Sequence, residues 1–371
     1  MTSTRSWLSS LAAVGIAPTP ELPRAGWGPR LGMVCQHGLA GLLAHAYEAS
    51  AVDLDDDVLA ALEARLEAEA IRGVRVEAEL LRLRPLFDRF DGVVLKGAVL
   101  AHGAYPDPVW RPFTDIDLLV PPAAVPHAIV HLQHLGYRRV RPDPTARFGS
   151  RIAKATLLLH PSGLAVDLHR TLAPGAAADR IDTRTIVRDR WFLELDGRRV
   201  PAPTWPVHLI ETALHAVVGD GLRRALSVRD VGQVALLPGL DTDEVVQLAM
   251  RWGVTSQLAT GLSTAKTVLQ IDLPARLEGW LDDRSAPAAP RCRRAGTEVG
   301  HSLGAGLGRV VESAHASLAP RADYLRWRYR SDAPALELYR RRWREVAARR
   351  LAGSGAAPAA PEPLFALEAA S

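Results

Sequence analysis

The sequence predicts an α+β protein, a small mixed sheet flanked by N-terminal and C-terminal helical regions. Three observations carry this prediction. Apolar residues recur at helical spacing through much of the first ninety positions, the texture breaks into short apolar runs bounded by turn residues from Asp91, and helical spacing returns at Trp205. At 371 residues the chain is long enough for two or three structural units of about 150 residues each. A composition 48% hydrophobic and 23% charged excludes wholesale disorder.

Residues 1–90 form the N-terminal helical region. Arg5 precedes an apolar run from Trp7 to Val14 that carries two serines, which reads as a short first helix rather than an export leader. Gly38–Tyr47 is a second short helix. From Asp53 to Phe90 the only proline is Pro85, and Leu59, Leu62, Leu66, Val74, Leu80 and Leu81 recur at helical spacing. The carboxylates of Asp53 to Asp57 stand at the start of that helix, where its dipole favours them.

Residues 91–204 form the sheet-bearing core. Val93–Leu95 and Ile116–Val120 are two strands, the second stopped by Pro121-Pro122. Val125, Ile129, Leu132 and Leu135 return to helical spacing. Ala155–Leu159 and Leu164–Leu168 flank His160-Pro161-Ser162-Gly163, a joint with turn chemistry, and so read as a hairpin. Residues 205–282 are a C-terminal helical region, with helices at His208–Val218, Ala225–Leu237, Thr242–Trp252 and Ser256–Ile271. Residues 283–352 are a linker and terminal helix, with the helix around Pro334–Leu351. Residues 353–371, rich in Ala, Pro and Gly, are a disordered tail.

Two cysteines, Cys35 and Cys292, lie far apart with no C-x-x-C pair, which excludes a disulfide framework and a cysteine-built zinc site. No apolar run approaches 18 residues, so no membrane span is expected and the protein reads as cytoplasmic. Nearly all the basic residues are arginine, with lysines only at 96, 154 and 266, and the net charge is +4. Arginine spread this widely is compositional rather than the clustered stripe of a nucleic-acid binder.

The chemistry concentrates in Arg111-Pro112-Phe113-Thr114-Asp115-Ile116-Asp117-Leu118-Leu119-Val120. Side chains alternate along a strand, so Asp115 and Asp117 share one face. Two like charges about 4 Å apart at an effective dielectric of 20 repel by about 4 kcal/mol. A hard divalent cation removes that cost, and oxygen ligation suits magnesium. Asp167 interrupts a second apolar strand with His169 on its face; three converging carboxylates could hold two metals. Leu95-Lys96-Gly97 follows the first strand, where a glycine turn entering a helix lets backbone amides approach a phosphate.

Lys96-Gly97, Tyr105-Pro106-Asp107-Pro108, Arg111, Asp115-Ile116-Asp117-Leu118-Leu119-Val120 and Val166-Asp167-Leu168-His169, with His215 and Leu226–Val231 downstream, together resemble the uncharacterised nucleotidyltransferase family of the DNA polymerase β-like superfamily. The resemblance covers most of residues 30–270. It implies a nucleotidyltransferase core that moves an NMP from an NTP, ATP among them, to an acceptor hydroxyl and releases pyrophosphate, with Mg2+ (or Mn2+) as cofactor. By resemblance, Asp115, Asp117 and Asp167 are the catalytic, metal-binding carboxylates. Lys96, Gly97 and Arg111 would then meet the nucleotide, while His169, on the face of Asp167, touches a nucleotide phosphate, orients Asp167 or is structural. A small molecule or peptide is the favoured acceptor; RNA- or protein-directed transfer of a toxin type, and a non-catalytic nucleotide-binding protein, are the alternatives. Many superfamily members carry a Gly-Ser pair in the turn where this chain has Lys96-Gly97-Ala98, so phosphate contacts that a serine would supply must come from elsewhere.

His215 and Asp230 either frame the acceptor pocket or pack and cap the C-terminal helices. Gly304-Ala305-Gly306-Leu307-Gly308 lacks the preceding strand of a phosphate loop and reads as a flexible segment. The arginines from Arg340 to Arg350 read as a solvated helix face, with contact to RNA or an acidic partner as the alternative.

Overall fold

The computed structural model describes residues 4–18, 21–145, 148–283 and 314–351. Five strands form the central sheet: β1 (Val93–Val94), β2 (Asp115–Leu119), β3 (Arg138–Arg139), β4 (Ala155–Leu159) and β5 (Ala165–His169). Their order is β1-β2-β5-β4-β3. Only β2 and β5 run parallel; the other pairs are antiparallel. The mixed sheet and its helical flanks are those the sequence predicts. The β4–β5 hairpin closes through the predicted turn, with His160 N–H donating to Leu164 O and Gly163 at φ +87°. Strand β3, two residues at the sheet edge, carries too little pattern to be read beforehand.

Three helices precede the long one: α1 (Thr4–Ala12), α2 (Gly28–His37), which the sequence reading misses, and α3 (Ala40–Glu48). Next come α4 (Asp56–Arg82) and α5 (Arg84–Phe90), which divide at Leu83, the residue that caps α4 and precedes Arg84-Pro85. At 1.5 Å per residue, α4 is about 40 Å long and can reach from the N-terminal helices to the sheet. Between the strands lie α6 (Lys96–Gly103), α7 (Val125–His134) and a single turn, α8 (Phe148–Arg151). After β5 come α9 (Thr183–Arg188) and a second, two-stranded ribbon, β6 (Trp191–Leu195) with β7 (Arg198–Ala202). Five helices then follow: α10 (Trp205–Leu214), α11 (Ala225–Ala235), α12 (Thr242–Trp252), α13 (Thr255–Leu269) and α14 (Ala275–Asp282). The last two are Ala322–Tyr329 and Ala335–Leu351. The glycine-spaced segment at 304–308 and the tail after Gly353 lie outside the described residues.

Two apolar clusters hold these elements. One joins helices from both parts of the chain, with Trp7, Leu11, Leu39 and Leu43 buried among Leu209, Val231, Leu258 and Leu262. The other packs the end of α4 and the β6–β7 ribbon on the sheet, through Leu80, Leu86, Leu118, Val166 and Val200. Fully burying a side chain of this size contributes about 1.5–3 kcal/mol. The cavity at the sheet is lined by elements distant in sequence, from α4 to α11. Among the described residues no helix is long and apolar enough to cross a membrane.

Candidate catalytic centre

The parallel register of β2 and β5 places Asp117 directly beside Asp167. Side-chain alternation brings Asp115 and His169 to the same face. His169 Nε2 lies 2.7 Å from Asp117 Oδ1 and 3.4 Å from Asp167 Oδ2. One ligand atom from each of Asp117, Asp167 and His169 falls within 4.8 Å of the other two. Asp115 stands two residues earlier and half-buried, outside that trio but within reach of its charges. Asp117 and His169 are buried, whereas Asp167 is half-buried and open to an incoming group.

Lys96 opposes these carboxylates. The chain leaves β1 through a sharp turn with Lys96 at φ +22° and Gly97 at φ +42°, and the helical run of α6 begins beyond it. A side chain in that backbone region is strained, and such positions cluster at functional sites. The turn buries Lys96 and sets its Nζ 3.3 Å from Asp117 Oδ2 and 3.6 Å from Glu211 Oε1. Sequence reasoning missed Glu211. Its signal was a lone carboxylate in α10, a helix whose other residues from Pro206 to Leu214 are apolar, His or Thr and all buried.

The charges are strongly perturbed. Burial pushes the Asp117 carboxyl up, but the Lys96 charge and the His169 hydrogen bond outweigh it and hold Asp117 well below the usual carboxylate range. Burial and the adjacent Asp117 charge raise Asp115. Burial also raises Glu211, although Lys96 and Lys154 oppose it. For His169, burial favours the neutral ring, but hydrogen bonds to Asp117 and Asp167 prevail and raise its pKa. Burial, followed by the Lys96 charge, pushes His215 down to about 2, so this ring is neutral.

Arg111 is placed differently from a free phosphate ligand. Its guanidinium forks onto Asp230, with Nη2–Oδ2 at 2.9 Å and Nε–Oδ1 at 3.2 Å, while Nη1 donates to Gly97 O at 3.4 Å. Tyr105 Oη donates to the same Asp230 carboxylate at 2.7 Å. Arg111 therefore ties the Lys96-Gly97 turn to α11. Asp230, which the sequence offers as framing an acceptor pocket or as packing and capping, is buried in α11 and also lines the cavity.

That cavity measures about 180 Å³. Lys96, Gly97, Asp115 and Asp117 line it on the sheet side; Arg65 and Arg72 come from α4, and His215, Arg224 and Ser227 from the C-terminal helices. His215 opens a π-helical turn, His215–Gly219, the kind of helix irregularity that recurs at functional sites.

The donor set fits a divalent cation. Two carboxylates converge beside His169, and buried Glu211, which faces Lys96, has no hydrogen bond to either carboxylate oxygen among the described residues. Buried acceptors of that kind ordinarily find a donor or a cation. Carboxylate oxygens suit magnesium or manganese better than a thiophilic metal.

Residues 23–270 match the model of a family described as uncharacterised nucleotidyltransferases. In the solved structures, an antigenic nucleotidyltransferase-like protein from Paracoccidioides brasiliensis is similar over 55% of this chain and 94% of its own, at 18% identity and a TM-score of 0.31. No curated protein matches the chain.

Proposed function

Because the chain belongs to the uncharacterised nucleotidyltransferase family, and is thereby a nucleotidyltransferase, we propose that it transfers the NMP of an NTP to an acceptor hydroxyl, releasing pyrophosphate. The observation that carries this reading is the convergence of Asp117, Asp167 and His169 beside Lys96, at a cavity lined with arginines.

In this reading Asp117 and Asp167 hold Mg2+ or Mn2+, with Asp115 at the edge of the same site. When bound, a divalent cation stabilises the charge that develops on the transferring phosphoryl group. Asp167, half-buried, takes the proton of the acceptor hydroxyl. Through Nε2, His169 fixes both carboxylates, so that neither must reorganise during transfer. Lys96 is held by Glu211 as well as Asp117, which keeps its ammonium at the phosphate end of the cavity. Arg111 and Asp230 hold the Gly97 turn against the C-terminal helices.

Enclosure of the cavity between α4 and the C-terminal helices favours a small-molecule or peptide acceptor over a polynucleotide. Action in the cytoplasm, where NTPs abound, accords with this chemistry. The test is pyrophosphate release from each NTP with Mg2+, using a panel of hydroxyl-bearing small molecules, peptides and RNA. Wild type should turn over with at least one acceptor, and Asp167→Asn should lower the rate about a hundredfold or more while unfolding at the wild-type temperature. Turnover that Asp167→Asn leaves intact would remove Asp167 from the chemistry, and a response to RNA alone would reverse the acceptor assignment.

A further inference from the structure

The carboxylates account for one end of the cavity and leave open what grips the rest of the nucleotide. The turn lacks a serine: Ala98 follows Lys96-Gly97 and is buried. Two of the basic side chains that line the cavity are engaged by buried carboxylates. Lys96 is paired with Asp117 and Glu211, and the Arg111 fork is filled by Asp230. Arg65, also on the cavity wall, bonds Glu69 at 2.6 Å.

Two arginines of the lining are not committed in this way. Arg72 and Arg224 are exposed, and neither has a carboxylate partner among the described residues. They reach the cavity from opposite sides of the chain. Arg72 lies on α4, seven residues beyond Arg65 and three beyond Glu69, a spacing that stacks all three on one helix face. Arg224 is the residue that enters α11, three positions before Ser227 on the same wall. The cavity is thus acidic where Asp115 and Asp117 line it and carries two unpaired guanidinium groups elsewhere on its wall.

A triphosphate chain has the matching polarity. Its α-phosphorus must sit at the carboxylates, where the cation screens it, and its β- and γ-phosphates extend away with most of the charge. Guanidinium groups bind such oxygens bidentately, and more specifically than an ammonium does. Resting on the nucleotidyl-transfer reading, we infer that Arg72 and Arg224 clamp the β- and γ-phosphates of the NTP, in place of the missing serine. The leaving pyrophosphate is then held by one residue from the N-terminal helical region and one from the C-terminal helices. A phosphorylated acceptor would present related chemistry to the same pair, and the test separates the two sources.

The probes are each of the four NTPs, the matching NMPs and inorganic pyrophosphate, titrated with Mg2+ against the full chain by calorimetry. Arg72→Gln and Arg224→Gln are compared with wild type, and Arg75→Gln serves as the charge control. Arg75 lies on the same helix, outside the cavity lining, and donates to Ser162 O. Wild type should bind its preferred NTP at least about tenfold more tightly than the matching NMP. Each clamp variant should lose about tenfold or more in NTP and pyrophosphate affinity with NMP affinity unchanged, and Arg75→Gln should behave as wild type. Equal wild-type affinity for NTP and NMP, or clamp variants that bind NTP as wild type does, would overturn the clamp while leaving the transfer reading intact. An NTP preference that survives in the variants alongside weakened pyrophosphate binding would assign the pair to an anionic acceptor and overturn the clamp. A wild-type protein that binds no nucleotide would overturn the transfer reading and the clamp with it.

Discussion

At the scale of single residues the site is an exercise in opposed charges kept out of water. Asp117 is buried yet held ionised, because Lys96 and His169 each address one of its oxygens. Arg111 and Asp230 repeat the pattern one layer away, with Tyr105 completing the carboxylate. Breaking such a buried pair from one side leaves a bare charge and costs about 3–5 kcal/mol. Asp230→Asn should therefore destabilise the fold by several kcal/mol in urea titrations, far more than a surface substitution. A variant within about 0.5 kcal/mol of wild type would show that Arg111 finds water when Asp230 is neutral. The juxtaposition of Asp117 and Asp167 was legible in the sequence because carboxylates in apolar strands are conspicuous, whereas Asp115 stands outside the trio. Glu211 and the Arg111–Asp230 pair were not legible, since the partners lie 115 and 119 positions apart and only the tertiary fold brings them together.

Among the elements, α4 links the site to the rest of the sheet layer. Its Glu79 accepts from Tyr137 Oη at 2.5 Å and from Arg82 at 2.6 and 2.8 Å, pinning the helix to the loop after α7. Burial raises the Glu79 pKa, but the Arg82 and Tyr137 hydrogen bonds prevail and lower it. A carboxyl whose folded pKa lies below its unfolded value, about 4.3 for Glu, adds stability above that value and loses it as pH falls through the folded pKa. Wild type should thus exceed Glu79→Gln by about 1–3 kcal/mol near pH 7, and the gap should narrow below about pH 4. A gap that widens on acidification would contradict the assignment. The β6–β7 ribbon escaped the sequence reading although Asp196-Gly197, both at positive φ, is a favoured hairpin turn. Pro201 in β7 argues against a strand in a sheet interior, but a two-stranded ribbon is all edge and tolerates it. Helices α12 and α13 were legible nearly to the residue, because their apolar spacing is regular and Asp241 and Gly253 bound α12.

Over the whole molecule, the helices before the sheet and those after it share one apolar cluster. Arg229 of α11 lies at the seam, fully buried. It donates to Ala12 O and to Val14 O, the latter at 2.8 Å, while Gln233 one turn later donates to Ala104 O at 2.8 Å. Composition and periodicity announce helices on both sides of a sheet, but not that they meet. That meeting is encoded in buried polar groups that look like surface residues in a linear reading. Arg229→Met should leave the two carbonyls without their donor, cost about 2–4 kcal/mol, and expose the segment after α1 to proteases first. Uniform protease resistance would show that apolar packing alone holds the seam.

The same architecture encloses the carboxylates, and thermal unfolding with each NTP, with and without Mg2+, for wild type and Asp117→Ala tests that centre without knowing the acceptor. Ligand at ten times its dissociation constant adds about 1.4 kcal/mol, a shift of a few degrees. A metal-dependent nucleotide site predicts a shift that requires both Mg2+ and an NTP and vanishes in Asp117→Ala. A shift of equal size without Mg2+, or one that Asp117→Ala retains, would contradict a cation held between β2 and β5.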